Sequence, residues 1–217
     1  MKQIEPIAAY VPYMTCPGNH EHPENYKEYR HRFLMPISSE NEAKQELQFS
    51  YDFGPIHFVS LNVEVYYKNG GTLENVESMY SWLKDDLEIA NQNRHSKPWV
   101  IVFGHRPMYC AEGWWDCANN ETLTQFGLKI DGELHYGLEE VLYDYQVDVA
   151  IWAHKHSFER TWPVYNYTFW NNHTRNPYVN PKAPIHFTAG SGVGLVKALN
   201  YEVTRARANI RVARLFS

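Results

Sequence analysis

The chain has 217 residues, of which 44% are apolar and 15% aromatic, and its formal net charge is −5. That length and content suit one sizeable α/β domain with an ample core and exclude a disordered chain. The acidic balance leaves no broad footprint for nucleic acid, and no apolar run reaches bilayer length, so neither nucleic acid nor a membrane is expected as a partner. The opening MKQIEPIAAYVPYMT carries a lysine but no sustained apolar core, so it does not read as a signal peptide. TCPGNHEHPENY (15–26) then gathers a Pro-Gly turn with amide, imidazole and carboxylate side chains. LQFSYDFGPIHFVSLN (47–62) reads as two short strands about the Gly54-Pro55 turn. Over 74–94, Val76, Met79, Tyr80, Leu83, Leu87 and Ala90 fall on one helical face with acids opposite. PWVIVF (98–103) is an unbroken apolar run that predicts a strand buried on both faces. A helix over 138–145, a second buried strand in VDVAIWA (147–153) and a third in PIHFTAG (184–190) complete the grammar of a layered α/β domain. From Val193 onward the text changes. Lys197, Arg205, Arg207, Arg211 and Arg214 stand against the single acid Glu202, a basic tail read as a solvated end.

The chemistry gathers at three places. VIVFGHRPMY puts His105 just past the end of one buried strand, and VAIWAHKHSFER puts His154 and His156 past the end of another. Ligand sites in open α/β sheets collect outside those carboxyl ends. One site can use both imidazoles of the H-x-H only if the backbone bends. With Asn19 beside His20, these form a nitrogen and oxygen donor set without thiolate, suited to Fe, Mn or Zn. Each signal alone is weak, but their joint order favours a metal site. Three N-x-[ST] sequons, at Asn120, Asn166 and Asn172, point to a secretory glycoprotein. Cys110 and Cys117 bracket AEGWWD at a spacing compatible with a small disulfide and not with zinc, leaving Cys16 as a free, buried thiol. Sequons without an export signal lead to the expectation that the natural N-terminus lies upstream of Met1.

CPGNHE, VFGHRPMY and AHKHSFER together resemble the last three motif blocks of the metallophosphoesterases. In detail, RFLMP, KPWVIVFGHRPMYC and YGLEEVLYDYQVDVAIWAHKHSFER resemble the animal purple acid phosphatase-like group over about residues 13–191. The resemblance implies a β-sandwich flanked by helices, four-layer α-β-β-α and incomplete here, in residues 1–192, followed by the divergent tail 193–217. It further implies a secreted or lysosomal hydrolase of small phosphate monoesters with an Fe and Zn centre, Fe or Mn being alternatives at the divalent position. Asn19, His105 and His154 then match the ligands of the divalent ion and His156 a ligand of the ferric ion. His20 matches the histidine that binds phosphate and protonates the leaving alkoxide, and Glu21 reads either as a carboxylate that orients the neighbouring site side chains or as a surface carboxylate. Glu159 and Arg160 are expected to pair and anchor their loop. The family's Asp-x-Gly and Gly-Asp-x-x-Tyr blocks find no match; Asp52, Asp85 and Asp86 lie in the wrong context. The second metal is therefore expected to be lost and activity of this chain alone to be low. The other readings are a catalytically dead secreted glycoprotein and a phosphodiesterase on the same scaffold.

Overall fold

The computed structural model describes residues 3–36, 47–67, 70–109, 121–170 and 175–190. Its first helical elements are the short α1 (Glu5–Ala8) and α2 (Pro23–Arg32). Glu24, Asn25 and Tyr26 have φ of 51°, 58° and 61°, so the right-handed part of α2 starts after them. Next comes the hairpin of β1 (Phe49–Phe53) and β2 (Ile56–Ser60), joined by Gly54 at φ 56°. A left-handed turn residue is what a glycine supplies without steric cost.

Helix α3 (Leu73–Gln92) is longer by one residue at its start than the apolar periodicity predicts. The reason is a capping box, in which the Thr72 hydroxyl accepts from the Asn75 backbone while the Asn75 side chain accepts from the Thr72 backbone N–H. Val76, Met79, Leu83, Leu87 and Ala90 are the buried face, and burying each of the larger ones contributes about 1.5–3 kcal/mol. Beyond it run β3 (Trp99–Phe103), α4 (Glu121–Phe126), the hairpin β4 (Gly127–Ile130) and β5 (Glu133–Tyr136), then α5 (Leu138–Asp144) and β6 (Val149–Trp152). The last elements are β7 (Phe158–Arg160), the tight hairpin β8 (Val164–Tyr165) and β9 (Thr168–Phe169), and β10 (Ile185–Ala189).

Among the described residues one six-stranded sheet runs in the order β1-β2-β3-β6-β10-β7. Its four inner strands are parallel, and β1 and β7 close the edges antiparallel. The three strands expected to be buried on both faces are instead buried on one. In β3, Val100 and Val102 are fully buried while Ile101 and Phe103 are partly exposed, and β6 and β10 alternate likewise. The cause is unequal cover. Val59, Val100, Val102, Ala150 and Trp152 belong to one large core with the apolar faces of α3 and α5. The opposite face carries a smaller cluster in which Tyr26 and Tyr29 of α2 meet Met35, Leu47 and Phe49, with Phe103 packed against it.

Because β2, β3 and β6 are parallel neighbours, their carboxyl ends open at one rim. The sequence 193–217, and with it the expected basic tail, lies outside the described residues.

Candidate metal centre

At that rim the two histidine loops are tied together by backbone. Gly104 N–H donates to the Ile151 carbonyl at 3.0 Å, and Ala153 N–H donates to the His105 carbonyl at 2.9 Å. The chain then bends at His154, a residue with φ 59°. Non-glycine residues seldom take that conformation, and where they do the surrounding structure holds them there. This is the bend that an H-x-H needs in order to turn one imidazole away from the strand line.

The third component arrives from the turn after α1. Gly18 N–H donates to Glu21 Oε2 at 2.8 Å and Glu21 N–H donates to the Gly18 carbonyl at 3.0 Å, which closes the turn around Asn19. Gly18 itself lies against the His105 ring. A Cβ at that position would stand 2.8 Å from His105 Nδ1, inside ordinary contact distance.

These constraints bring three donor atoms to one point. Asn19 Oδ1 is 2.8 Å from His105 Nε2 and 3.2 Å from His154 Nδ1, and the two imidazole nitrogens are 3.0 Å apart. Coordination at about 2.1 Å separates neighbouring donor atoms by roughly 3.0–3.4 Å, so the spacing fits a single ion with three protein ligands. The rings meet at 75° with centroids 4.9 Å apart, and their in-plane lone pairs therefore approach from different directions. Burial, followed by the positive charges of His154, Arg106, His20 and His156, pushes the His105 pKa down to about 3. His105 is neutral above that value, the form a ligand requires.

His20 and His156 are exposed and close enough for their charges to act on His105, but neither joins the hydrogen-bonded trio. Among the described residues no group of three or more His, Cys, Asp and Glu side chains is placed to hold a metal. The trio has an amide as its third member and no carboxylate.

Arg106 and Glu64 lie beside the trio, and the sequence reading did not single them out. Arg106 Nε donates to both carboxylate oxygens of Glu64, at 2.9 and 3.0 Å, and the guanidinium lies 4.1 Å above the Tyr67 ring. Its Nη1 is 3.4 Å from His154 Nε2. Glu64 is buried, and desolvation raises its pKa against the pull of Arg106. The available signal was a lone carboxylate inside the apolar run VEVYY (63–67), which in a buried segment demands a counter-charge.

Glu159 and Arg160 do not form the expected anchor. Successive strand residues face opposite ways: Glu159 is buried and accepts from Ser157 Oγ at 3.1 Å, whereas Arg160 is exposed and stacks 4.5 Å over Tyr178. Cys16 is a free thiol, only partly buried as a residue, and desolvation pushes its pKa up to about 12. Cys110, Cys117, Asn120 and Asn172 lie outside the described residues, while Asn166 is exposed on the β8–β9 turn. Two cavities of about 650 and 490 Å³ are lined by neither Asn19 nor the histidines of the trio.

Residues 1–158 match the calcineurin-like phosphoesterases, and the chain belongs to that family. Its relatives include proteins named as acid phosphatases. The chain is 46% identical over 192 residues to acid phosphatase type 7 of Homo sapiens, an alignment covering 88% of this chain and 42% of that protein. It is 32% identical over 203 residues to purple acid phosphatase 23 of Arabidopsis thaliana, covering 89% of this chain and 37% of the other. Purple acid phosphatase PPD1 from yellow lupin (Lupinus luteus) seeds shares the fold with a TM-score of 0.65 and 28% identity, over 88% of this chain and 33% of that one. The chain thus spans less than half the length of these relatives.

Proposed function

We propose that this chain is the histidine-bearing part of a metal-dependent phosphate monoester hydrolase, with Asn19, His105 and His154 holding one divalent ion. The convergence of Asn19 Oδ1, His105 Nε2 and His154 Nδ1 within 2.8–3.2 Å of one another carries this reading. Two imidazole nitrogens and one amide oxygen suit Zn, Fe(II) or Mn. A bound divalent ion supplies Lewis-acid polarisation of a phosphoryl oxygen.

The residues around it do the rest. His154, bent off its strand, and His105, wedged against Gly18, fix two of the three directions of approach. His20 stands exposed beside Asn19, and an imidazole N–H there passes its proton to the leaving alkoxide oxygen. His156 is the ligand available to a second, ferric ion. Since no carboxylate joins the trio among the described residues, this chain alone holds one ion and hydrolyses phosphate esters slowly. Asn120, Asn166 and Asn172 are its glycan acceptors in a secretory or lysosomal setting.

Metal analysis after dialysis, combined with aryl phosphate hydrolysis from pH 4 to 8, tests the reading. One zinc per chain with weak turnover is expected. No metal uptake overturns the site, and brisk turnover with two ions per chain overturns the single-ion account.

A further inference from the structure

The hairpin of β8 and β9 carries the sequence Tyr165-Asn166-Tyr167-Thr168. Tyr165 and Thr168 are its last paired residues, and the two between them have φ of 46° and 55°. Positive φ at both central positions is the signature of a type I′ turn, in which asparagine is favoured at the first. The turn is held in place from below: Asn166 N–H donates to the buried Glu139 Oε1 at 2.9 Å. Asn166, Tyr167 and Thr168 are all exposed, so the complete Asn-x-Thr acceptor is presented at the surface.

Asn166 also lines the cavity of about 490 Å³, together with the rings of Tyr80, Phe126, Tyr136 and Tyr165. Tyr165 is not a loose side chain. Its ring is stacked on Tyr143 with centroids 3.9 Å apart and planes within 12°. A rigid aromatic ring one residue before an acceptor asparagine, at the mouth of a cavity walled by further rings, presents a surface of the kind that receives the apolar C–H face of a sugar.

We propose that Asn166 carries an N-linked glycan whose first N-acetylglucosamine packs on the Tyr165 ring at this cavity mouth and stabilises the folded chain. The inference rests on the secretory glycoprotein reading above and adds a sugar-binding platform to it. Transfer from a lipid-linked pyrophosphate donor forms the bond between Asn166 Nδ2 and the anomeric carbon. The C1–O bond to the pyrophosphate breaks with its electrons, and Nδ2 gives up one proton.

The test uses the full chain secreted from a eukaryotic host behind a leader peptide and trimmed enzymatically to a single N-acetylglucosamine at each occupied site. Peptide mass mapping gives occupancy, and Tm is measured for Asn166→Gln, Tyr165→Leu, the double variant and the parent. The sugar at Asn166 is expected to raise the parent Tm by about 2–4 °C. In the Tyr165→Leu background that increment is expected to vanish, and comparing increments cancels any loss of the Tyr143 stack. Sugar at Asn120 or Asn172 but not Asn166 overturns the platform alone, as does an increment that survives in Tyr165→Leu. Sugar at none of the three overturns the glycoprotein reading along with it.

Discussion

Glu139 gives the sharpest quantitative handle on this fold. It belongs to the first turn of α5 and its carboxylate is buried, where Oε1 accepts from Tyr109 Oη and from the Asn166 backbone, and Oε2 accepts from Gln125 Nε2 at 3.0 Å. Desolvation pushes its pKa up to about 7, and the Asn166 hydrogen bond pulls the other way without compensating. The ordinary value is 4.5, so the folded state holds the proton more tightly than the unfolded one. Stability from this group is therefore fully present below pH ~4.5 and is lost as pH rises through about 7. A displacement of that size corresponds to about 3 kcal/mol. Glu139→Gln keeps the shape and an acceptor but cannot ionise. Urea denaturation of parent and variant between pH 4.5 and 8 should show the parent losing about 3 kcal/mol relative to the variant as pH increases. A difference between the two that stays flat, or that grows in the parent's favour with pH, would refute the assignment of the cost to this carboxylate.

Three further outcomes follow from the rim. Zinc at a hundredfold excess over its Kd should stabilise the parent by about 2.7 kcal/mol, and His105→Ala should abolish that gain in a thermal shift measurement. Gly18→Ala should weaken zinc binding by roughly 10–100-fold, read by competition with a chelating dye, because its methyl meets the His105 ring at 2.8 Å. Arg106→Met should cost about 3–5 kcal/mol in urea by leaving Glu64 buried without its partner, and adding Glu64→Gln to it should restore part of that loss.

The hydrophobic periods located β1 to β3, α3, α5, β6 and β10, because each is a run whose burial pattern repeats along the chain. What the text could not show was how far the sheet is covered. An apolar run reads the same whether its second face meets a helix or stands half open, and that is why β3 and β6 were expected to be closed on both sides. The strand β7 was hidden inside what read as a histidine loop, since it is only three residues long and earns its pairing from β10 rather than from its own composition. Asn19, His105 and His154 were legible as chemistry, but their meeting point depends on the bend at His154 and the hydrogen bond between Ala153 and His105, both of which are tertiary. Glu64 and Arg106 are 42 residues apart, a pairing that no local pattern encodes.

The three donors of the rim are not held with equal firmness. His105 and His154 project from adjoining parallel strands whose loops share backbone hydrogen bonds, so the sheet itself fixes the distance between their rings. Asn19 belongs to a turn closed by the two Gly18–Glu21 hydrogen bonds, and it reaches the histidines across 86 residues of sequence. Its amide oxygen lies 2.8 and 3.2 Å from the two ring nitrogens. Asn19, His105 and His154 are the side chains that would hold a divalent ion, and the amide oxygen would be its one oxygen donor. Loading the site should leave the strands unchanged and act chiefly on the turn at 18–21, which carries His20. The residue assigned to proton transfer is in this way coupled to the ion through one main-chain step, from Asn19 to His20, rather than through the sheet.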